Sequence, residues 1–323
     1  MRLFGNMLKN AMMYNYFSTK DGTLRIHNSD DDGYGIISSY SVDDIENDVS
    51  FVLSKNDYQT LSGFDEFILE VKEQKVNVKT TNGKITFMNM KDVHEPELNM
   101  KDAYELKINV DDFLEGRKFV GNEQTKIYLN GCNIASDGYF ISDSKCGFIH
   151  YVNIGIEEPL CLPKESFKYI AGKTSCMTDG KMIAFMSPGN LFYTNLIAKA
   201  TPIPKFDFSE TVSILVKKRE LMHNLSLLKN YTEHMKVSFH DSFLHLCANE
   251  ENYDFDFEVA GKMTRGNNLS NYGIVISQFM KILELFSDED IVISFNERLC
   301  FSRKDEVIGM MARFSIQGNT EVE

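Results

Sequence analysis

Few side chains in this sequence stand at spacings that could do chemistry, and each has a plainer reading. The stretch "NSDDDG", residues 28–33, gathers carboxylates that could hold a hard cation. It lacks the downstream glutamate that a calcium loop requires, so a solvated turn is expected. "GYGIIS", residues 33–38, opens like a dinucleotide-binding glycine pattern but has Ser38 where the third glycine belongs. His240 and His245 fall in an alternating pattern five residues apart, which on one continuous strand would point them to opposite faces. Cys132, Cys146, Cys161, Cys176, Cys247 and Cys300 form no CxxC pair and read as buried free thiols of a reducing cytoplasm. The densest cluster is "KIYLNGCNIASDGYFIS", Lys126 to Ser142, with an Asn-Gly, a cysteine and an Asp-Gly in 17 residues. No phosphate-binding P-loop, HExxH or GxSxG motif occurs. The expectation is therefore no catalysis, no cofactor and no metal.

The elements that would position such residues are mostly hairpins. Asn-Gly or Asp-Gly sits between alternating residues in "TKDGTLRI", "TTNGKITF", "YLNGCNI", "ASDGYFIS" and "MTDGKMIAF". A type I′ turn needs positive φ at both central positions, so these dipeptides are the strongest local hairpin signal. Gly131 and Gly138 are accordingly expected in turns.

Short helical patterns lie between the strands. Residues 111–120 place Phe113, Leu114, Arg117 and Val120 at helical spacing, and 163–171 begin with Pro163. Residues 217–229 carry Leu221, Met222, Leu225 and Leu228 on one face, and 277–287 carry Phe279, Met280, Leu283 and Phe286. Weaker patterns follow Ser54 and Asn6. Together these elements repeat at about 100 residues, with "NDVSFVLSKNDYQTL", "EEPLCLPKESFKYI" and "NYGIVISQFMKILELF" in equivalent places. The reading is an α+β chain of three repeated domains, 1–101, 102–208 and 209–323. The first is shortened at its start and the third ends in a short tail.

The net charge of −13 divides as −6, −1 and −6 over residues 1–100, 101–208 and 209–323. That excludes a chain coated in positive charge, but not one that is basic on a restricted face. The helical segments collect Lys9, Lys55, Arg117, Lys118, Lys164, Lys168, Lys173, Lys217, Lys218, Arg219, Lys229 and Lys281. Each helix buries one stripe and shows the other, so helices gathered on one surface would make it basic. No apolar run approaches the roughly 20 residues that span a bilayer, and "MRLFGNMLKN" lacks a secretory core, so a cytoplasmic protein is expected.

"TKIYLNGCNIASDGYFIS", "CLPKESFKYI" and "FYTNLIAKATPIPKF" resemble segments of the bacterial DNA polymerase III beta sliding clamps. The resemblance covers most of residues 20–318, and its departures from the usual motifs fit a divergent member carried by a phage or mobile element. It implies a non-enzymatic processivity factor whose three domains form a ring with a second copy, helices inside and antiparallel sheets outside. It further implies encircled double-stranded DNA, an ATP-dependent clamp loader, a DNA polymerase, and partners that insert a short peptide between the middle and last domains. That pocket falls on Ser136, Asp137, Gly138, Tyr139, Phe140 and Ile141, on Pro204, and on Met310, Met311, Ala312 and Arg313. The family's His-Arg after the turn glycine is Tyr139-Phe140 here, which alters the expected peptide preference. The alternative is a viral structural or assembly protein of repeated β domains, which would have neither basic inner helices nor a peptide pocket.

Overall fold

The computed structural model describes residues 1–42, 48–72, 74–90, 92–208, 211–250, 253–267, 269–287, 290–303 and 306–312. Among them the chain forms strands in three sets of eight. The first set is β1 (Arg2–Phe4), β2 (Tyr14–Lys20), β3 (Thr23–Ser29), β4 (Tyr34–Ser41), β5 (Ser50–Ser54), β6 (Glu66–Lys72), β7 (Lys75–Thr80) and β8 (Gly83–Met88). The second is β9 (Tyr104–Glu105), β10 (Gly131–Ala135), β11 (Gly138–Ser142), β12 (Cys146–Tyr151), β13 (Leu160–Pro163), β14 (Ser175–Thr178), β15 (Met182–Ser187) and β16 (Asn190–Asn195). The third is β17 (Val212–Lys217), β18 (His234–His240), β19 (Phe243–Glu250), β20 (Tyr253–Arg265), β21 (Leu269–Val275), β22 (Asp290–Phe295), β23 (Arg298–Arg303) and β24 (Glu306–Ala312).

One pairing rule serves all three sets. The first strand pairs with the sixth, followed by the seventh and eighth; the fifth pairs with the second, followed by the third and fourth. Across repeats, the fourth strand of one set pairs with the eighth of the next: β4 with β16, and β12 with β24. The third set adds a β17–β20 pairing.

Helical segments follow the first and fifth strands, as the patterns predict, but several are cut short. α1 (Lys55–Ser62) is capped by Ser54, whose hydroxyl accepts from the Asp57 amide and so satisfies a first-turn N–H, typically worth about 1 kcal/mol. α2 (Val110–Gly116) runs on as a 3-10 turn, Arg117–Phe119; α3 spans Lys218–Leu228 and α4 Ile276–Leu283. The segments at Gly5–Met7 and Lys164–Lys168 are single 3-10 turns. The weak pattern after Asn6 thus yields one turn, because Asn10 already stands at φ 61°, outside the helical region.

The hairpin expectation needs two corrections. Gly131 does not turn the chain: it opens β10 at φ −163°, where a Cβ would fall 2.1 Å from the Leu162 carbonyl oxygen. It is glycine because two backbones approach closely. His240 and His245 share a face, because Asp241 and Ser242, both at positive φ, turn the chain between them. His245 pairs with Ser238, two residues before His240, and the two rings stack with centroids 3.7 Å apart.

The chain divides into two compact units, Met1–Asp111 with Glu165–Ala198, and Asp112–Lys164 with Lys199 onward. In the first, Phe17, Leu24, Phe51, Leu53, Tyr58, Leu61, Phe67 and Val76 are buried in one cluster between the sheets and α1. In the second, α2 covers β11 and β12, with Phe113 edge-on to Tyr139, while α4 lies on β12 and β24. A Cβ at Gly309 on β24 would fall 2.5 Å from Ile282 on α4, so the missing side chain admits the helix.

Candidate functional site

In the second unit the β12–β24 pairing joins two repeats, and alternation along these strands decides which side chains meet. Phe140 on β11, Ile149 on β12, Met310 and Val307 on β24, Cys300 on β23 and Ala135 on β10 face away from the helices and form one apolar cluster. Tyr139, Ile141 and Met311 face the other way. Tyr139 is fully buried between Phe113 and His150, and a Cβ on Gly116 would strike Ile141. Of the expected pocket residues, the structure therefore brings together Phe140 and Met310. It places Tyr139, Ile141 and Met311 in the core beneath the helices.

The connection from β16 to β17 lies over this cluster. Ile203 is buried in it, and Phe206 and Phe208 pack on it partly exposed. Polar contacts stitch the connection down. The Thr201 amide donates to Asn133 Oδ1 at 2.9 Å, and Tyr151 donates to the Pro204 carbonyl at 3.0 Å. Arg265 donates to the Phe208 carbonyl at 2.8 Å. Pro204 thus borders the cluster through its carbonyl. Ser136 sits in the β10–β11 turn, where its carbonyl accepts from Ile154 at 2.9 Å, and Gly138 opens β11 just after it. Arg313 lies outside the described residues.

Beside the connection opens a cavity of about 650 Å³ lined by Lys205, Phe206, Asp207, Phe208, Thr211, Ser294, Asn296, Glu297, Arg298 and Cys300. Burial pushes the Cys300 thiol up to about 12, so it enters this wall as a neutral, weakly polar group. Aromatic edges, a thiol and a rim of both charge signs suit a short peptide with apolar anchors. Sequence reasoning missed Ile149, Tyr151, Ile203, Phe206, Phe208 and Cys300. Their alternation was visible, but only the long-range pairing of β12 with β24 and the path of the connection bring them together.

The basic residues divide sharply. Lys118 pairs with Glu284 at 2.7 Å, and Lys281 with Asp143 at 2.7 Å, both beside the Phe119 ring. Lys218 donates to the Phe286 carbonyl, and Lys164 to Asn122. Lys173 is buried against Asn190, and burial lowers its pKa. Lys9, Lys55, Arg117, Lys168, Lys217, Arg219 and Lys229 remain exposed. Of those seven, Lys55, Arg117, Lys168 and Arg219 lie in helical segments, whereas Lys9, Lys217 and Lys229 flank them.

No family model matches the sequence, and no curated protein matches it. Solved structures match over almost the whole chain. A DNA polymerase sliding clamp from Bacillus subtilis aligns at TM-score 0.82 and 12% identity, covering 98% of this chain and 98% of that one. The Helicobacter pylori beta clamp bound to a DNA ligase peptide aligns at 0.80 and 15%, covering 98% and 99%. This chain has the sliding-clamp fold. A clamp from Pseudomonas aeruginosa with a ligand aligns at 0.81 and 12%, again over 98% and 99%. At such identities the shared clamp fold, and not side-chain chemistry, is what the matches establish.

Proposed function

We propose that the chain is a DNA sliding clamp, a non-enzymatic processivity factor that encircles duplex DNA and tethers a polymerase and other replication proteins. The observation that carries this reading is the pairing rule between repeats. Fourth strands pair with eighth strands at β4–β16 and β12–β24, which leaves β20 and β8 to pair with a second copy. β8 is the outer strand of its sheet, and residues 253–260 of β20 pair only with β19, since β17 reaches only 261–265. Exposed Lys75 and Lys79 of β7 and Lys84 of β8 flank one edge, and exposed Asp254, Asp256 and Glu258 line the other. Two such junctions close a head-to-tail homodimeric ring of six domains, divided near 101 and 208 in each chain.

A ring holds DNA by topology, so the seven exposed bases need supply only weak, salt-sensitive phosphate contacts. The cavity beside Phe206 and Phe208 then serves as the groove for partner peptides; the Helicobacter pylori clamp of the same fold was solved bound to a DNA ligase peptide. An ATP-dependent loader would open the ring, and a cytoplasmic location fits the six free cysteines.

The test is retention on DNA. Protein loaded on circular duplex should stay bound through gel filtration and be lost when the circle is cut. Equal, salt-titratable binding to circles and linear DNA would sink the reading.

A further inference from the structure

We propose that Glu95, His27, Arg25 and Tyr193 form a clasp that holds the segment 89–97 against the β4–β16 seam, so that ionic contacts do here what the burial of Ile203 adds to the hydrogen bonds of its counterpart. The proposal does not depend on DNA binding or ring closure.

The segment needs a clasp because it has no apolar anchor of its own. No described residue between 89 and 97 is fully buried, whereas the other connection sinks Ile203 into its cluster. Beneath it lies a cavity of about 490 Å³ whose walls include Tyr16, Phe51, Val52, Met90 and Val93. Its backbone is tied to β5 by the Met90 amide on the Val52 carbonyl at 3.1 Å, and to β2 by the Tyr16 hydroxyl on the His94 carbonyl at 2.8 Å.

Glu95 supplies the remaining hold. One carboxylate oxygen accepts from Arg25 at 2.6 Å and lies 2.7 Å from His27 Nδ1. His27 is 1% exposed, and its Nε2 lies 2.7 Å from the Tyr193 hydroxyl. A carboxylate only accepts, so Nδ1 donates to Glu95, and in the neutral imidazole Nε2 takes the tyrosine O–H. Both ring nitrogens of the buried His27 are then satisfied. Gly35 on β4 stands directly opposite Tyr193, and a Cβ there would fall 2.6 Å from the hydroxyl oxygen. The second glycine of "GYG" therefore makes room for the ring that completes the clasp.

Native-state hydrogen exchange on the full chain, read by mass spectrometry, tests this with Glu95→Ala, Glu95→Gln and Tyr193→Phe. Losing two charge-assisted hydrogen bonds should speed exchange within 89–97 by about tenfold or more in Glu95→Ala, with the third repeat unchanged. Tyr193→Phe should fall between that variant and the parent. Acidification should loosen the same segment in the parent, after correction for intrinsic exchange, and do nothing more in Glu95→Gln. The groups facing Glu95 are Arg25 and His27 from β3 and Tyr16 from β2, with Tyr193 of β16 behind the imidazole. Exchange within about twofold of the parent in Glu95→Ala, or acceleration spread evenly over all segments, would overturn the clasp. So would an acid response that survives in Glu95→Gln.

Discussion

The seams β4–β16 and β12–β24 solve one geometric problem with opposite chemistries. In each, the fourth strand of one repeat meets the eighth of the next, and the connection to the following repeat crosses nearby. In each, a glycine faces a bulky residue across the pair: Gly35 opposite Tyr193, and Gly147 opposite Met310. Yet the first seam is sealed by His27, Arg25, Glu95 and Tyr193, and the second by Phe140, Ile149, Cys300, Val307 and Met310. The second is the seam proposed for peptide binding, because Phe206, Phe208 and Cys300 belong to or pack on its apolar cluster and also line the cavity beside it. The polar network at the first would lose its partners if anything displaced it.

The comparison can be broken at either seam. The largest effect should come from Phe140→Ala, which removes a nearly buried ring from the apolar seam. It should cost about 3–5 kcal/mol in denaturant unfolding and abolish binding of a labelled partner peptide. Loss of stability with unchanged peptide affinity would move the groove elsewhere.

Gly35→Ala should cost about 1–3 kcal/mol, and Gly147→Ala less. At Gly35 the new methyl meets the rigid phenol of Tyr193 at 2.6 Å, while at Gly147 it meets Phe140 at 2.8 Å and the flexible Met310 side chain at 3.2 Å. The reverse order, read from thermal melts, would mean that the polar seam yields more easily than the apolar one.

Tyr193→Phe should cost roughly 1–3 kcal/mol, because it strands the buried His27 Nε2 without a partner. The two seams should also respond differently to acid. The hydrogen bond from His27, with Arg25 nearby, holds the Glu95 carboxyl below its ordinary value of 4.5. A depressed folded pKa means stability that is present above 4.5 and lost as pH falls through the folded value. Exchange at the first seam should therefore rise in that window while the second stays flat. At the small end, Lys118→Ala should change stability by only about 0.2–1 kcal/mol, since its partnership with Glu284 is a partly exposed ion pair. A larger loss would show that this pair is structural.

Local signals were legible and long-range ones were not. Asp21-Gly22, Asp137-Gly138 and Asp179-Gly180 announce hairpins, because positive φ is a property of a few residues. The turn at Asp241–Ser242 carries no glycine and was invisible, so His240 and His245 were assigned to opposite faces. Phe140 and Met310 were named as pocket residues alongside Tyr139 and Met311, since resemblance marks a segment and not the face each side chain takes. The clasp had no signal at all, because Arg25 and Glu95 are 70 residues apart and His27 and Tyr193 are 166 apart.

By itself the sequence determined the periodicities: alternation within strands, helical stripes, turn dipeptides and the recurrence of all three at about 100 residues. These depend on neighbours within a few positions, where backbone geometry fixes which side chains share a face. Only the tertiary structure decided which strands meet at the seams, which lysines stay exposed and which are neutralised, and whether a connection is held by apolar burial or by ion pairs. Those outcomes depend on contacts between distant segments, and contact between distant segments is what folding adds to a chain.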